Sequence, residues 1–290
     1  MIDRIRNLIF SLLIFFPSGA AFALPVSNPG EARQLRDGLV WKGFWGEIPE
    51  KYTIPWCELF SFRLGFYGDY VFNRHLAAHT DQDTPKIEQS CFFTNAALLN
   101  LNFWDRLDLF ATVGATHFSL KANATAFANP FSGRRFQIES DSHFSWSLGI
   151  RSTVLEYGFT NIGLEVQYFQ TRPDVRCATL ASLDSLYPTS AHSRYREWQL
   201  GIGISQRIRS FVPYLALKCS RAKLNFPDTS FTFTNLLNSS TNARLFDLEN
   251  LNTFGCAVGV SLIDAERSSL TVEGRYGDEV AFHVNGQIRF

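Results

Sequence analysis

Residues 281–290 read Ala-Phe-His-Val-Asn-Gly-Gln-Ile-Arg-Phe. Taken in twos, Phe282, Val284, Gly286, Ile288 and Phe290 fall on one side; His283, Asn285, Gln287 and Arg289 fall on the other. Side chains alternate across a β-strand, so this stretch is a strand with one apolar face and one polar, partly charged face. Such a strand fits either the surface sheet of a soluble protein or a barrel wall with lipid outside and water inside. It stops on an aromatic residue with no solvating tail. Chain ends stay ordered when something ties them down, so this strand is expected to be paired.

The same alternation runs back to residue 60. Phe60, Phe62, Leu64, Phe66, Tyr70 and Phe72 oppose Ser61, Arg63, Gly65, Tyr67, Asp69 and Asn73. Trp146, Leu148, Ile150 and Val154 oppose Ser147, Gly149, Arg151 and Thr153 in the same way. The connections sort by length. Short turns at 104–106, 156–159, 208–211 and 264–267 alternate with long polar loops at 75–90, 121–142, 171–194 and 225–251. Short periplasmic turns with longer external loops belong to outer-membrane barrels. The face carrying Gly, Ser, Thr, Arg and Glu is then the enclosed one, the reverse of a soluble barrel with its apolar interior. The expected fold is all-β: a transmembrane antiparallel β-barrel of about 12 strands, in a range of about 10 to 16. Ten strands are countable directly. Twelve requires a further strand at 38–46 and a turn at 67–69.

Twenty-seven Lys+Arg balance 27 Asp+Glu, so no basic field invites nucleic acid. No run approaches the roughly 18 apolar residues of a membrane helix, which leaves strands as the only way to span. At the start, Arg4 and Arg6 precede an apolar stretch over 8–16 broken by Ser11, and Ala21-Phe22-Ala23 supplies an A-x-A cleavage site. That pattern is a cleavable signal peptide over 1–23. Residues 24–56, rich in Gly and Pro, read as an N-terminal periplasmic segment with room for one strand. Residues 57–290 form the barrel. The expected location is the outer membrane of a Gram-negative-type bacterium, in contact with its lipid.

Several segments, in order along nearly the whole mature chain, carry a family resemblance. They include Leu24-Pro25-Val26 with Asn28-Pro29, Asp37-Gly38-Leu39-Val40-Trp41, Trp56-Cys57, and Gly65-Phe66-Tyr67-Gly68-Asp69-Tyr70-Val71-Phe72. Further along come Thr94-Asn95-Ala96-Ala97, Trp104-Asp105-Arg106, Gly114-Ala115-Thr116, Glu197-Trp198-Gln199, Pro213-Tyr214, Ser220-Arg221-Ala222 and His283-Val284-Asn285 with the Arg289-Phe290 end. With these the chain resembles the chlamydial major outer membrane porin family. Its long loops are shorter than the main member's, and the cysteine pair that usually precedes Trp56-Cys57 is absent, so it reads as a compact paralogue. The resemblance implies disulfide cross-linking in the envelope, with Cys57 and Cys256 on positions that match family cysteines.

The leading functional expectation is a porin: passive diffusion of small hydrophilic solutes and ions through a water-filled barrel. Arg63, Arg151, Glu165, Glu197, Arg207, Lys218, Glu273, Arg275 and Arg289 are the candidate pore-lining charges, a mixed field with a mild basic excess. The alternative is a structural surface antigen or scaffold in a disulfide-linked network, with little channel activity. Five cysteines are an odd number, and Cys57, Cys91, Cys177 and Cys256 are the disulfide candidates. Partners would be a second copy, as in a trimer, or other cysteine-containing envelope proteins. An enzyme ranks third. Loop residues His75, His79, His117, His143 and His192 accompany Asp81, Asp83 and Asp141, but no nucleophile elbow, zincin motif or phosphate loop joins them. No catalytic residue, metal or cofactor is expected. Phe282, Val284, Ile288 and Phe290 resemble the terminal motif recognised by the barrel assembly machinery.

Overall fold

The computed structural model describes residues 24–35, 60–78, 87–123, 135–180, 192–227, 230–234, 240–244 and 247–290. The strands in chain order begin with β1 (Phe60–Arg74), β2 (Leu76–Ala78), β3 (Ile87–Phe103), β4 (Leu107–Asn123), β5 (Arg135–Ser140) and β6 (His143–Tyr157). There follow β7 (Thr160–Thr171), β8 (Val175–Leu180), β9 (Arg194–Gln206), β10 (Phe211–Asn225) and β11 (Ser230–Thr234). Last come β12 (Ser240–Arg244), β13 (Leu248–Asn250), β14 (Phe254–Asp264), β15 (Ser268–Tyr276) and β16 (Glu279–Arg289).

Ten of these close a barrel, every pair antiparallel. The order runs β14-β15-β16-β1-β3-β4-β6-β7-β9-β10, and β10 pairs back onto β14. The count lies at the low end of the expected range. The seam joins first wall strand to last, from Arg63↔Arg289 to Arg74↔Glu279, with one bulge between Val71 and Asn73. The terminal strand is tied to its final residue, since the Phe290 N–H donates to the Phe62 carbonyl at 2.8 Å. No turn forms at 67–69. Gly68 is paired with Val284 on one side and Asn95 on the other, so β1 is continuous there and the second requirement for twelve strands fails. The other required strand, at 38–46, lies outside the described residues, as does the whole of 1–23.

Turn chemistry fixes which rim is which. Trp104, Asp105, Gly158, Arg209, Ala265 and Glu266 all have left-handed φ between 46° and 61°. Tight hairpins need such residues because their backbone twist then matches that of the flanking strands. These four turns form one rim, which the short-turn rule makes periplasmic. One tight connection lies on the opposite rim: β15 passes to β16 through 277–278 alone.

Two regimes share the wall. On the outside, Leu109, Ile150, Val166 and Leu200 stand side by side across β4, β6, β7 and β9, each 38–51% exposed. That surface needs lipid. Strands β3 and β4 have 17 residues each, more than the roughly 9–11 that span a bilayer. Their surplus projects on the external side, where the enclosed face turns apolar. Leu76, Phe92, Phe118, Leu120, Ile138, Leu224 and Leu248 pack there into one core. Strand β13 bridges β10 to β2, and β5 lies between β4 and β8, so short strands build this cap.

A charge placed in the apolar belt meets hydrocarbon. Ile150→Arg should lower unfolding free energy in phospholipid by about 2–4 kcal/mol, and Phe211→Arg at the rim by about 0–1 kcal/mol. Urea titration in bilayers reads both; equal costs would place Ile150 outside the belt.

Candidate functional site: the filled lumen

A ring of ten strands is wider than the eight-stranded barrels that side chains fill alone. Here the remaining space holds a piece of the chain itself. Residues 24–35, the leading part of the segment read as periplasmic, run inside the wall. Leu24 belongs to the apolar core beneath the external cap, with Phe92, Phe118 and Tyr195. Val26 packs on Ala216 and Ala257 further down. Leu35 packs on Val212 and Ile263 beside the periplasmic turns. The strip therefore descends from cap to periplasmic rim. Residues 36–56 fall outside the described ones.

The strip seats because a polar wall needs partners for its hydrogen-bonding groups and an irregular backbone supplies them. Lys218 Nζ donates to the Leu24 carbonyl at 2.9 Å, and Gln199 Nε2 to that of Pro25 at 3.1 Å. Glu273 accepts the backbone N–H groups of Val26 and Ser27 at 3.2 and 2.9 Å, and the Tyr214 hydroxyl at 2.8 Å. Thr153 Oγ1 reaches the Pro29 carbonyl at 3.1 Å. Arg63 and Asn102 converge on the Ala32 carbonyl at 3.3 and 3.2 Å, and Arg289 donates to that of Leu35. Gly163 permits the approach: a Cβ there would lie 2.4 Å from the Pro29 carbonyl oxygen. Near the lower end a single helical turn, α1 (Glu31–Gln34), points Glu31 into the wall's charges.

Those charges form three layers. At the periplasmic end Arg63 pairs with Asp108 at 3.1 Å, and Arg289 with Asp105 at 3.0 Å. In the middle Arg151 lies between Glu165 at 2.6 Å and Glu31 at 2.5 Å, over the Phe110 ring. Beneath the cap Arg74 pairs with Glu197 at 2.9 Å. Arg275 binds Asp69 and Glu279, the latter at 2.8 Å. Lys218 lies 3.2 Å from Glu279 and 3.8 Å from Asp278. Removing one partner of a buried pair leaves an uncompensated charge in low dielectric, so each layer depends on its completeness.

Of the nine charges singled out from the sequence, Arg63, Arg151, Glu165, Glu197, Lys218, Glu273, Arg275 and Arg289 are buried and face the interior. Arg207 does not join them. Strand β9 ends at Gln206, so Arg207 turns out at the rim and pairs with Glu266 at 2.7 Å, with 29% of its side chain exposed. Asp69, Asp108, Asp278 and Glu279 were not among the candidates. The inward period already contained Asp69, and the same period carried through β4 would have found Asp108. Glu31 lies in a stretch without period and gave no signal. With these included, the buried charges among the described residues are eight acidic and six basic. The expected mild basic excess is therefore an acidic one.

Cys91, Cys177, Cys219 and Cys256 carry free thiols, and Cys57 lies outside the described residues. Cys219 faces Phe254 across the ladder, two positions from Cys256. Such diagonal neighbours are about 7–8 Å apart, beyond the usual reach of a disulfide. Cys91 on β3 and Cys256 on β14 are separated by three intervening strands at roughly 4.8 Å each. Of the terminal residues, Phe282 and Ile288 face outward, and Val284 and Phe290 are half-buried.

A closed antiparallel barrel with an apolar outer belt, a charged interior and sorted connections is an outer-membrane barrel. The family described as Chlamydia major outer membrane protein matches residues 5–90, 83–137, 131–185 and 235–290, and the chain belongs to that family. A major outer membrane porin of Chlamydia pneumoniae is 31% identical, covering 94% of this chain and 95% of its own. One from Chlamydia psittaci is 29% identical, covering 98% of this chain and 100% of its own. That alignment extends over 392 positions against 290 residues here, so at least 102 positions have no residue in this chain. Among solved structures, an outer membrane channel from Pseudomonas putida F1 covers 86% of this chain and 98% of its own at 8% identity, with a TM-score of 0.39.

The middle layer offers a direct check. Arg151→Met leaves Glu31 and Glu165 facing each other and should cost about 3–5 kcal/mol, the range for a broken buried pair. Arg207→Met, at the rim, should cost about 0–1 kcal/mol. The urea midpoints of the two variants in detergent micelles measure the difference.

Proposed function

We propose that this chain is an outer-membrane porin giving small hydrophilic solutes and ions a passive route through its barrel. The observation that carries this is a wall apolar toward lipid and charged toward its lumen, in a member of a porin family. In the state described, residues 24–35 fill that lumen and the apolar cap covers its external end. Conduction then requires the strip and cap to shift. The interior charges Arg63, Arg151, Glu165, Glu197, Lys218, Glu273, Arg275 and Arg289, with Asp69 and Glu279, would line the path once it opens. With Asp108, Asp278 and Arg74 counted as well, and Glu31 withdrawn with the strip, seven acidic groups face six basic ones, a slight balance toward cations. A chain of this kind needs no catalytic group.

The filled lumen itself favours a second reading, a structural envelope protein of low conductance. Its unpaired cysteines would then bond other chains, either a second copy or another cysteine-bearing envelope protein. Planar bilayers separate the readings. Protein starting at Leu24 should open only briefly, and protein starting at Asp37, which lacks the strip but keeps the cap, should open more often and with cation preference. Silence from both would sink the porin reading, and a ladder of cross-linked species on non-reducing gels would then support the scaffold.

Removal of residues 1–23 as a signal peptide and recognition of the last strand by the barrel assembly machinery belong to the same proposal. The support for the second is the alternation that ends on Phe290. Phe290→Asp should reduce the heat-modifiable, membrane-inserted fraction more than Gln287→Asp does. Equal insertion would make the terminal aromatic an ordinary wall residue.

A further inference from the structure

Leu24 is 4% exposed and lies within the barrel, under the cap. It lines a small cavity with Tyr67, Asp69, Arg74, Tyr195 and Glu197, and its carbonyl accepts from Lys218 at 2.9 Å. The buried charges around it do not balance. Asp69, Glu197, Asp278 and Glu279 are four carboxylates; Arg74, Lys218 and Arg275 are three cations. Among the described residues Glu279 Oε2 and Asp278 Oδ2 are buried without a hydrogen-bond partner, as are N–H groups of the Arg74 and Arg275 guanidiniums. By formal charge the layer is one cation short.

Backbone geometry points the same way. Leu24 has φ of 69°, in the left-handed region that an L-residue with a Cβ disfavours. That torsion is defined by the carbonyl carbon of residue 23. In a chain that starts at Leu24 the torsion no longer exists, and neither does its strain.

We infer that the α-ammonium of Leu24, released by cleavage after Ala23, is the missing cation of the upper lumen layer and the anchor that seats residues 24–35. The step is a hydrolysis by an envelope peptidase. Water adds across the Ala23–Leu24 amide, the carboxylate leaves with Ala23, and the amine of Leu24 takes up a proton. Processing would thus do more than detach a leader: it would create the charged end that the barrel interior is built to hold. An uncleaved or blocked chain presents a neutral amide there, and the carboxylate excess stands uncompensated. The inference rests on the proposed cleavage after Ala23 and on the strip's place in the lumen, not on whether the barrel conducts.

The test uses the refolded chain starting at Leu24, released from a fusion by a protease that leaves no extra residue. An amine-reactive acyl reagent, followed by mass spectrometry, should modify the α-amine at least about tenfold more slowly than in the urea-unfolded chain, as for groups reached only by local opening. Modification at the unfolded rate overturns the inference. In a second arm the same chain is N-acetylated before refolding, and barrel closure is verified by heat modifiability. Amide exchange over 24–35 should then be faster by at least about tenfold, because the strip has lost its anchor. Unchanged protection in a closed, acetylated barrel would mean that the charge is irrelevant to seating. If the acetylated chain fails to close, the labelling arm alone decides.

Discussion

The structure depends on one demand: polar groups enclosed by the wall must find partners without bulk water. Lipid forces the outer face to be apolar, and strand alternation then sends every second residue inward. An inward set of Arg, Lys, Glu and Asp in a ring of ten strands cannot all neutralise one another side by side across the lumen. Backbone carbonyls and N–H groups of an inserted strip supply the difference. Glu273 exemplifies this, since two successive main-chain N–H groups and one phenol satisfy a carboxylate that pairs with no cation among the described residues.

The same demand explains the change of character with height. Where β3 and β4 rise beyond the bilayer, the exterior no longer requires hydrocarbon contact and the interior no longer needs charge. The enclosed face of β4 reads Thr112 and Thr116 in the middle and Phe118, Leu120 and Ala122 above. A membrane barrel thus passes into something organised like a soluble core within a single strand. Short strands β2, β5, β8 and β13 complete the upper part, and at three to six residues each they are too short to show a period inside the polar stretches that hold them.

Most of the wall was legible because period-two alternation is a strong signal over nine or more residues. Strand pairing followed from connection lengths. What escaped had no period. Residues 24–35 contain Pro25, Pro29 and Gly30 and form one helical turn, so neither alternation nor helical spacing marks them; only their fit to the wall does. The sign of the interior charge differs from the sequence reading because the strip brings Glu31, and because Asp278 and Glu279, at the connection between β15 and β16, add two more buried carboxyl groups. Gly68 misled in the other direction, suggesting a bend where β1 runs straight between two partners.

The seam joins the strand nearest the strip in sequence to the last strand made. Val26 meets Glu273 across 247 positions of chain, and Arg289 holds Leu35 across 254. Contacts of such separation form late and slowly. Since the cap obstructs the external mouth, the strip either enters from the periplasmic side or is enclosed as the seam closes. Either way, residues near the start of the chain wait for β15 and β16 before they find Glu273 and Arg289, so filling cannot precede the arrival of the last two strands.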